Sequence, residues 1–399
     1  MTDSGMADGT TDETATGASG PLRGLRVVEL AGIGPGPFAA MLLADLGADV
    51  IRVDRPGEAN DIVPPAVDVL RRGRRSVAID LRSPDGVRAV LDLAERADVL
   101  IEGYRPGVAE RLGVGPRDCW ARNPRLVYGR MTGWGQDGPL APTAGHDIGY
   151  IAITGALHAL GRQGEEPAVP VNFLGDFGGG SLYLVVGVLA AVFEAARSGR
   201  GQVVDAAIVD GAASLTAMVY GLLAAGQWRD ERGVNLLDTG RPWYDVYRTA
   251  DDNWVAVGPL EPKFYAQFMT LLGLAPDEAE RADPAAWPAL RERIAAAFAQ
   301  RTRDEWAKVF EGTDACVAPV LNLTEAAGHP HLAARGTFIE VDGVRQPAPA
   351  PRFSRTPPAV PGPPARPGAH TRQALTDWGV RDVDALLASG AAVQAAVQA

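Results

Sequence analysis

Residues 25–54 read LRVVELAGIGPGPFAAMLLADLGADVIRVD, with an apolar run at each end. The runs 24–30 and 48–54 have the pattern of buried strands, a Gly/Pro loop covers 32–37, and 38–46 has the pattern of a helix. A strand, a helix and a second strand in this order predict a βαβ unit, which joins parallel strands. This stretch therefore predicts the start of an α/β fold.

The same alternation continues along the chain. Strand patterns recur at 76–81, 97–102 and 126–131, and residues 85–96 have a helical pattern between the first two. Repeated strand–helix units predict a Rossmann-like, doubly wound α/β domain, in which ligands bind at the carboxyl ends of the strands. A further helix of strong propensity is predicted at 181–196.

Beyond residue 205 the pattern changes to that of a smaller α+β domain. Residues 243–249 and 254–258 predict a hairpin, residues 209–227 have a helical pattern, and the proline-rich residues 341–368 predict an extended crossing segment. The predicted domains are a disordered tail at 1–20, a large α/β domain at 21–205, a helical linker at 206–240, a small α+β domain at 241–330, and a return segment at 331–399 whose C-terminal helix packs on the large domain.

Composition restricts the class of protein. The 399 residues carry a net charge of −11 and are 46% apolar, which indicates a globular protein and argues against nucleic acid or an anionic membrane as the main partner. Two cysteines make no disulfide framework and residues 2–20 lack the features of a secretory signal, so we expect a cytoplasmic protein. The most apolar run, Leu182 to Phe193, is too short to span a bilayer and predicts a buried helix.

The loop after the first strand also matches a dinucleotide-binding motif. Residues 34–39 fit G-x-G-x-x-A, and Asp54 follows at the spacing of the ribose-binding acid. Pro35 and Pro37 lack the N–H groups that this motif points at a pyrophosphate, and Arg52 and Arg55 beside the acid suit a phosphate better than a neutral ribose edge. We therefore favour a tight strand-to-helix turn, and a nicotinamide- or flavin-dependent oxidoreductase stays an alternative.

One histidine and one aspartate are the main candidates for chemistry. His146 lies in the motif Gly-His-Asp-Ile-Gly-Tyr at 145–150, and Asp176 lies in Leu-Gly-Asp-Phe-Gly-Gly-Gly-Ser at 174–181. An imidazole and a carboxylate on opposite faces of one carbon atom can remove a proton from one side and return it to the other. The two motifs therefore predict an acid–base site.

Each candidate also has a purely structural interpretation. A lone histidine is more often structural than catalytic, and Asp147 and Asp176 could each be the N-cap of a helix. An N-cap at Asp147 would aim first-turn N–H groups at an oxyanion beside His146. The glycines 178–180 favour function at Asp176, because they cost helix stability and would let an acyl chain approach the backbone. Glu261 could be no more than a solvated carboxylate at a helix start.

Arginines follow three predicted strand ends, at Arg55, Arg82 and Arg105. Because parallel strands end at the same edge of a sheet, these three cations predict a phosphate-binding rim. For any single arginine, surface solvation is an equally good explanation.

Several pieces of sequence together resemble the class III CoA-transferase family. The match runs from about Pro21 to about Arg355 and includes LRVVELA at 25–31, GADVI at 47–51, EGYRPG at 102–107, MTGWGQ at 131–136, GRGQVVD at 199–205 and PRFSR at 351–355. Within the family the chain resembles the racemase branch, which carries Gly-His-Asp at 145–147, Gly-Asp-Phe-Gly-Gly-Gly at 175–180 and a glutamate at 261.

The resemblance implies a racemase, or epimerase, that interconverts (2R)- and (2S)-2-methylacyl-CoA by moving a proton through an enolate. It implies that His146, oriented by Glu261, handles the proton on one face and that Asp176 handles it on the other. The implied supporting residues are Asp147, Tyr150, Asn172 and Tyr244, and the implied contacts to the CoA moiety are Ile33, Arg55, Arg82, Tyr104 and Arg105.

The resemblance further implies no metal or redox cofactor, because CoA arrives as part of the substrate. It implies an interlocked homodimer in which the small domain of one chain covers the large domain of the other, so that Glu261 comes from the partner subunit. Besides the oxidoreductase, the alternatives are a CoA-transferase with Asp176 as nucleophile and a non-catalytic CoA-binding relative. The acyl chain stays open among sterol side chains, branched fatty acids and aryl-propionyl groups.

Overall fold

The computed structural model describes residues 19–57 and 63–396. Residues 1–18 of the predicted disordered tail at 1–20 lie outside the described residues. Its last part is ordered, since the hydroxyl of Ser19 donates to the Pro357 carbonyl at 3.0 Å.

The described chain divides into two compact units. The first unit contains the described residues up to Arg130, Val185–Val204 and those from Ile339 onward, and the second contains Met131–Leu184 and Asp205–Phe338. The boundaries of these units differ from those of the predicted domains. The predicted domain boundaries stay a prediction.

The regular elements alternate as the sequence predicts in the first part of the chain. The strands are β1 (Arg26–Leu30), β2 (Asp49–Asp54), β3 (Arg75–Ile79), β4 (Val99–Glu102), β5 (Val127–Thr132), β6 (Val203–Ala207), β7 (Asp245–Arg248), β8 (Trp254–Val257), β9 (Val317–Pro319), β10 (Phe338–Val341), β11 (Val344–Pro347) and β12 (Ala392–Val393). The α-helices are α1 (Pro35–Asp45), α2 (Pro84–Arg96), α3 (Val108–Arg111), α4 (Pro116–Trp120), α5 (Asp147–Ile153), α6 (Leu182–Ser198), α7 (Ile208–Leu215), α8 (Ala217–Ala224), α9 (Pro262–Leu272), α10 (Glu278–Ala282), α11 (Trp287–Phe298), α12 (Arg303–Phe310), α13 (Leu323–Ala326), α14 (Pro330–Ala334), α15 (Thr371–Asp377) and α16 (Val383–Ala388).

A seven-stranded sheet forms the core of the first unit, in the order β12-β3-β2-β1-β4-β5-β6. The pairs β3–β2, β2–β1, β1–β4 and β4–β5 are parallel, and β12 pairs antiparallel with β3. The order 3-2-1-4-5 is that of a doubly wound sheet, so the predicted α/β class is confirmed. The prediction lacked β6 and β12, because a two-residue strand such as β12 has no periodicity to detect.

Helix α1 begins three residues earlier than predicted. Pro35 and Pro37 both lie in its first turn, where a missing N–H breaks no intrahelical hydrogen bond. The residue before them, Gly34, has a φ of 66°, a left-handed value that favours glycine. The loop between β1 and α1 is thus the tight turn that the sequence favours.

The helix predicted at 181–196 belongs to a longer helical stretch. A π-helical segment, Phe173–Ser181, precedes α6 and includes the bond from the Phe177 N–H to the Asn172 carbonyl at 3.2 Å. Among the described residues, Phe173–Ser198 is long and apolar enough to cross a membrane by length and composition, and 44% of its apolar window is buried in the fold. The predicted burial of the shorter run, Leu182 to Phe193, is only partial, since Val186 is 66% and Phe193 68% exposed. Core helices of other proteins reach the same length and hydropathy, so this stretch alone does not indicate a membrane protein.

The second unit has its own core around an antiparallel sheet in the order β7-β8-β9. The predicted hairpin is confirmed as β7–β8, and aromatic residues including Tyr265, Phe268 and Phe298 are fully buried beside it. The helix predicted over 209–227 is divided into α7 and α8 at Thr216, whose hydroxyl donates to the Ala213 carbonyl at 2.7 Å. Residues 341–368 are not extended throughout, because β10 and β11 form a hairpin at their start.

Candidate active site

Asp176 lies inside the π-helical segment of the second unit. Its backbone N–H donates to Asp147 Oδ1 at 2.6 Å, and the side-chain amide of Asn172 donates to Asp176 Oδ2 at 3.4 Å. The N-cap position of the segment is occupied by Asn172, so the interpretation of Asp176 as an N-cap is wrong. The half-buried carboxylate of Asp176 is therefore not used for capping.

His146 is exposed and immediately precedes α5. Its backbone is extended, and its carbonyl accepts the N–H groups of Gly149 at 2.8 Å and Tyr150 at 3.3 Å. His146 is thus the N-cap residue, and the predicted N-cap at Asp147 is one position too late. Asp147 is the first helical residue, and its side chain accepts from the backbone of Asp176 instead of from its own helix.

The start of α5 and the π-helical segment meet at Gly175. A Cβ atom on this residue would lie 2.3 Å from Asp147 Oδ1, so a larger side chain would displace the Asp147 carboxylate. Asp147 is 9% exposed, and its Oδ2 atom has no hydrogen-bond partner among the described residues. A buried carboxylate with one unpaired oxygen therefore stands directly beside the backbone of Asp176.

The surroundings of Asp176 change its acidity. Burial raises the pKa of its carboxyl group above the ordinary value, and the neighbouring Asp147 carboxylate raises it further, against the smaller opposing effects of the Asn172 hydrogen bond and the His146 charge. A carboxyl group with a raised pKa is better matched to proton transfer near neutral pH. Because Asp147 follows His146 directly and its carboxylate accepts from the backbone of Asp176, the motifs at 145–150 and 174–181 meet at this point.

Tyr150, predicted as a supporting residue, is held by close packing. A Cβ atom on Gly133 would lie 2.0 Å from its ring, and one on Gly145 would lie 2.5 Å from it. The ring of Trp134 meets it edge-on, with a centroid separation of 4.7 Å. Two glycines and one tryptophan thus fix the Tyr150 ring on the helix that His146 caps.

The glycine run after Asp176 does not form an open acyl surface. Gly179 and Gly180 are buried, and a Cβ atom on Gly179 would lie 2.7 Å from the Ala212 backbone nitrogen of α7. A Cβ atom on Gly211 would in turn lie 1.8 Å from the Gly179 carbonyl oxygen. These glycines let two backbones cross, so the predicted approach of an acyl chain is wrong for positions 179 and 180.

Glu261 and Tyr244 lie in a second neighbourhood of the same unit. Glu261 is exposed at the N-cap of α9. Burial raises the pKa of the Cys316 thiol above its ordinary value, and the charge of Glu261 raises it further. Tyr244 packs beside Gly258, whose N–H donates to the Cys316 carbonyl at 2.9 Å. In the part of the chain that the structure describes, no hydrogen bond or ion pair joins Glu261 to His146, so the predicted orientation of His146 by Glu261 does not occur within one chain.

The residues predicted to contact CoA stand along one edge of the sheet in the first unit. Ile33 follows β1, Arg55 follows β2, Arg82 follows β3, and Tyr104 and Arg105 follow β4. These strands are adjacent and parallel, so their carboxyl ends share an edge. Burial raises the pKa of the Tyr104 hydroxyl, and the charge of Arg55 partly offsets this increase. Arg82 Nε donates to Asp80 Oδ1 at 3.0 Å.

The acid of the dinucleotide motif is not available to a ribose. Asp54 is 5% exposed, its Oδ1 atom accepts from Arg52 Nε at 3.0 Å, and its Oδ2 atom accepts from the Ser76 hydroxyl at 2.6 Å. Because both oxygens are engaged inside the fold, the contact that defines dinucleotide binding cannot form. The oxidoreductase alternative thereby loses its main support.

Two buried arginines hold the chain around the loop after β1. Arg52 beside Asp54 is expected from the sequence to suit a phosphate, but it is 4% exposed and bonds acidic side chains inside the fold, so that interpretation is wrong, and Arg74 carried no prediction. Arg52 Nη2 donates to the Gly32 carbonyl at 3.4 Å, and Arg74 Nη1 donates to the Pro37 carbonyl at 2.7 Å. Charged residues inside apolar strand runs, Glu29 in β1 and Arg52 in β2, were the signal that could have predicted these buried ion pairs. A parallel sheet that is covered on both faces buries such positions.

No group of three or more His, Cys, Asp or Glu side chains that could hold a metal ion occurs in residues 19–57 and 63–396. The absence of a metal or redox cofactor stays a prediction from the resemblance.

Comparison with known proteins shows the family of this chain. The sequence profile of CoA-transferase family III matches residues 22–371. Alpha-methylacyl-CoA racemase of Mus musculus is 46% identical over 363 residues, and that of Homo sapiens is 45% identical over 363 residues. Each alignment covers 90% of this chain and 93% of the racemase.

A solved structure extends the agreement to the fold. The crystal structure of a CAIB/BAIF family protein from Brucella suis superposes with a TM-score of 0.78 at 28% identity. The superposition covers 90% of this chain and 100% of that one, so it includes most of both units.

Proposed function

This chain belongs to CoA-transferase family III, and we propose that it is an isomerase that inverts the configuration at C2 of 2-methylacyl-CoA thioesters. The observation that carries the proposal is the grouping of His146, Asp147 and Asp176 in the second unit. It supplies two acid–base groups of different type, of which the carboxyl has a raised pKa. The high identity to two racemases over most of the chain supports the same reaction.

The proposed reaction moves one proton off C2 and another onto its opposite face. The neutral imidazole of His146 takes the proton from one face, and the electron pair moves into the thioester carbonyl to form an enolate. The protonated carboxyl group of Asp176 then donates its proton to the other face. One turnover leaves a protonated His146 and an ionised Asp176, which is the state that catalyses the reverse reaction.

The residues at the sheet edge of the first unit suit the CoA part of the substrate. We propose that Arg55, Arg82 and Arg105 meet its phosphates, because arginine forms charge-assisted hydrogen bonds with phosphate oxygens. Ile33 and Tyr104 offer apolar surface beside these cations, and Ile33 is 59% exposed. CoA is then part of the substrate and not a separate cofactor.

We further propose that the active unit is a homodimer with shared sites, in which Glu261 reaches His146 from the partner subunit. Support comes from the exposure of Glu261 and its lack of a contact with His146 within the described chain. Large apolar side chains are also exposed, among them Phe173, Val186, Phe193, Met218 and Tyr220. Soluble monomers rarely expose so many, and a second copy would bury them. A fully active monomer in sedimentation and dilution assays would contradict the dimer.

Proton NMR in D2O tests the reaction directly. We expect (2S)-2-methylacyl-CoA to lose its C2 proton signal with the thioester intact, while the 2R epimer accumulates. Exchange without inversion would contradict a racemase. No exchange at all would remove the acid–base role of His146.

The remaining candidate is a CoA-transferase with Asp176 as nucleophile, which the family membership and the half-buried carboxylate support. In that reaction the Asp176 carboxylate attacks the thioester carbonyl and releases CoA as the thiolate, leaving an acyl–aspartyl anhydride. Hydroxylamine would trap this anhydride as a hydroxamate, whereas a racemase would give none.

A further inference from the structure

The chain is held from inside the protein on both sides of the short loop that joins β1 to α1. The Gly32 carbonyl inside the loop accepts from Arg52, and the Pro37 carbonyl in the first turn of α1 accepts from Arg74. Between these two points Ile33 is 59% exposed. An exposed apolar side chain is thus carried on a backbone that two arginines restrain.

The two arginines belong to a buried cluster of two cations and two anions. Arg52 Nη1 lies 2.5 Å from Glu29 Oε1, and Arg74 Nη1 lies 3.4 Å from Glu29 Oε2, so one glutamate pairs with both. Asp54 completes the cluster through its bond with Arg52. All four side chains are at most 5% exposed.

The electrostatics keep both guanidinium groups charged. Burial acts to lower the pKa of Arg52, but Glu29 and Asp54 raise it overall above the ordinary value. Burial lowers the pKa of Arg74 to about 10, partly offset by Glu29, so this group is still protonated at neutral pH. Two cations therefore face the Gly32 carbonyl in the loop and the Pro37 carbonyl in the first turn of α1.

The loop needs such a restraint. Two glycines, Gly32 and Gly34, lie in the four residues between β1 and α1, and they leave the backbone of this loop wide conformational freedom. A binding surface on such a loop must be ordered in advance, or ligand binding carries the entropic cost. Hydrogen bonds from buried arginines supply that order.

We propose that Arg52 and Arg74 are positioning residues for CoA recognition, which fix the loop before α1 and the first turn of α1 so that Ile33 is presented to the CoA part of the substrate. This inference rests on the proposed function, because it assumes that CoA binds at this sheet edge. Neither arginine touches the substrate in this proposal. Both act through the backbone.

Arg74→Lys is the most specific test. Within the described residues, Nε and Nη2 of Arg74 have no hydrogen-bond partner, so its bond to Pro37 is its main link to the first turn of α1, which follows the loop. A lysine keeps the charge but loses the rigid guanidinium geometry. We expect the Kd for CoA, measured by titration calorimetry, and the KM for the thioester to rise by at least ~10-fold, with kcat changed by less than ~3-fold.

Arg72→Lys is a matched control in the same unit. Arg72 is 2% exposed and bonds Asp45 at 2.5 Å and the Pro347 carbonyl at 2.7 Å, away from the loop. We expect this variant to lose thermal stability while its Kd for CoA stays within ~2-fold of the wild type, because it leaves the loop restraints intact.

The outcomes separate the inference from the proposed function. A wild-type protein that does not bind CoA would remove the proposed function itself. Wild-type binding with equal affinities for Arg72→Lys and Arg74→Lys would overturn the positioning role alone. Arg52→Lys repeats the measurement at the other end of the loop, and a folded variant there with wild-type affinity would overturn the inference as well.

Discussion

His146 is the residue whose replacement tests the acid–base assignment most directly. We expect His146→Ala to lower the rate of racemisation by at least ~100-fold, because it removes the group that takes the proton on one face. The measurement is chiral chromatography of the acyl product at saturating substrate. His158→Ala is the control, since His158 is also exposed in the second unit but lies beside Asp230, and it should retain wild-type activity.

Asp147 tests the electrostatic coupling between the two carboxylates. Asp147→Asn keeps an oxygen for the Asp176 N–H but removes the negative charge that raises the pKa of Asp176. The pKa of Asp176 should therefore fall, so that its ionised form persists to lower pH. In the direction of reaction in which ionised Asp176 removes the proton, we expect the acid limb of the kcat/KM profile to move to lower pH. A shift to higher pH would contradict the coupling.

At the scale of elements, the crossing of the π-helical segment and α7 depends on glycine. Gly→Ala inside an exposed helix usually stabilises it by up to ~1 kcal/mol. In Gly211→Ala the added Cβ atom would meet the Gly179 carbonyl, so we expect destabilisation by ~2–3 kcal/mol, read as a lower midpoint of thermal unfolding. Racemase activity should fall too, because this crossing supports Asp176.

Gly221→Ala in α8 is the control for that experiment. Apart from its own helix backbone, a Cβ atom on Gly221 would have no atom of the described residues within 4 Å. The variant should be as stable as the wild type or more stable. Equal loss of stability in both variants would mean that the close backbone contact is not the cause.

At the scale of the whole molecule, shared sites predict complementation between inactive chains. Co-expressed His146→Ala and Glu261→Ala chains would form some mixed dimers, and each of these would have one intact site if Glu261 acts across the interface. With random pairing we expect about one quarter of wild-type activity. The control pair, His146→Ala with Asp176→Ala, should show no recovery, because both residues come from the same unit of one chain. Recovery in the control would contradict the shared site.

The prediction of the fold was best where local patterns are long. The strands at 24–30 and 48–54 and the helix at 85–96 carry continuous apolar or periodic patterns, and the structure has β1, β2 and α2 there. It was poorest where distant contacts decide, as for the two-residue β12, which exists only through its pairing with β3. The π-helical segment is a similar case, since its glycines are accommodated by contact with α7.

The sequence by itself determined the α/β class. It also predicted the sheet edge where a ligand would bind and the residue types of an acid–base site. These properties follow from short-range periodicity and from motifs whose members are near one another in the chain. Only the tertiary structure decided that Asp54 is unavailable to a ribose, that Asp147 raises the pKa of Asp176, and that two buried arginines hold the loop before α1. Each of these depends on burial and on contacts between residues far apart in sequence, which local patterns do not encode.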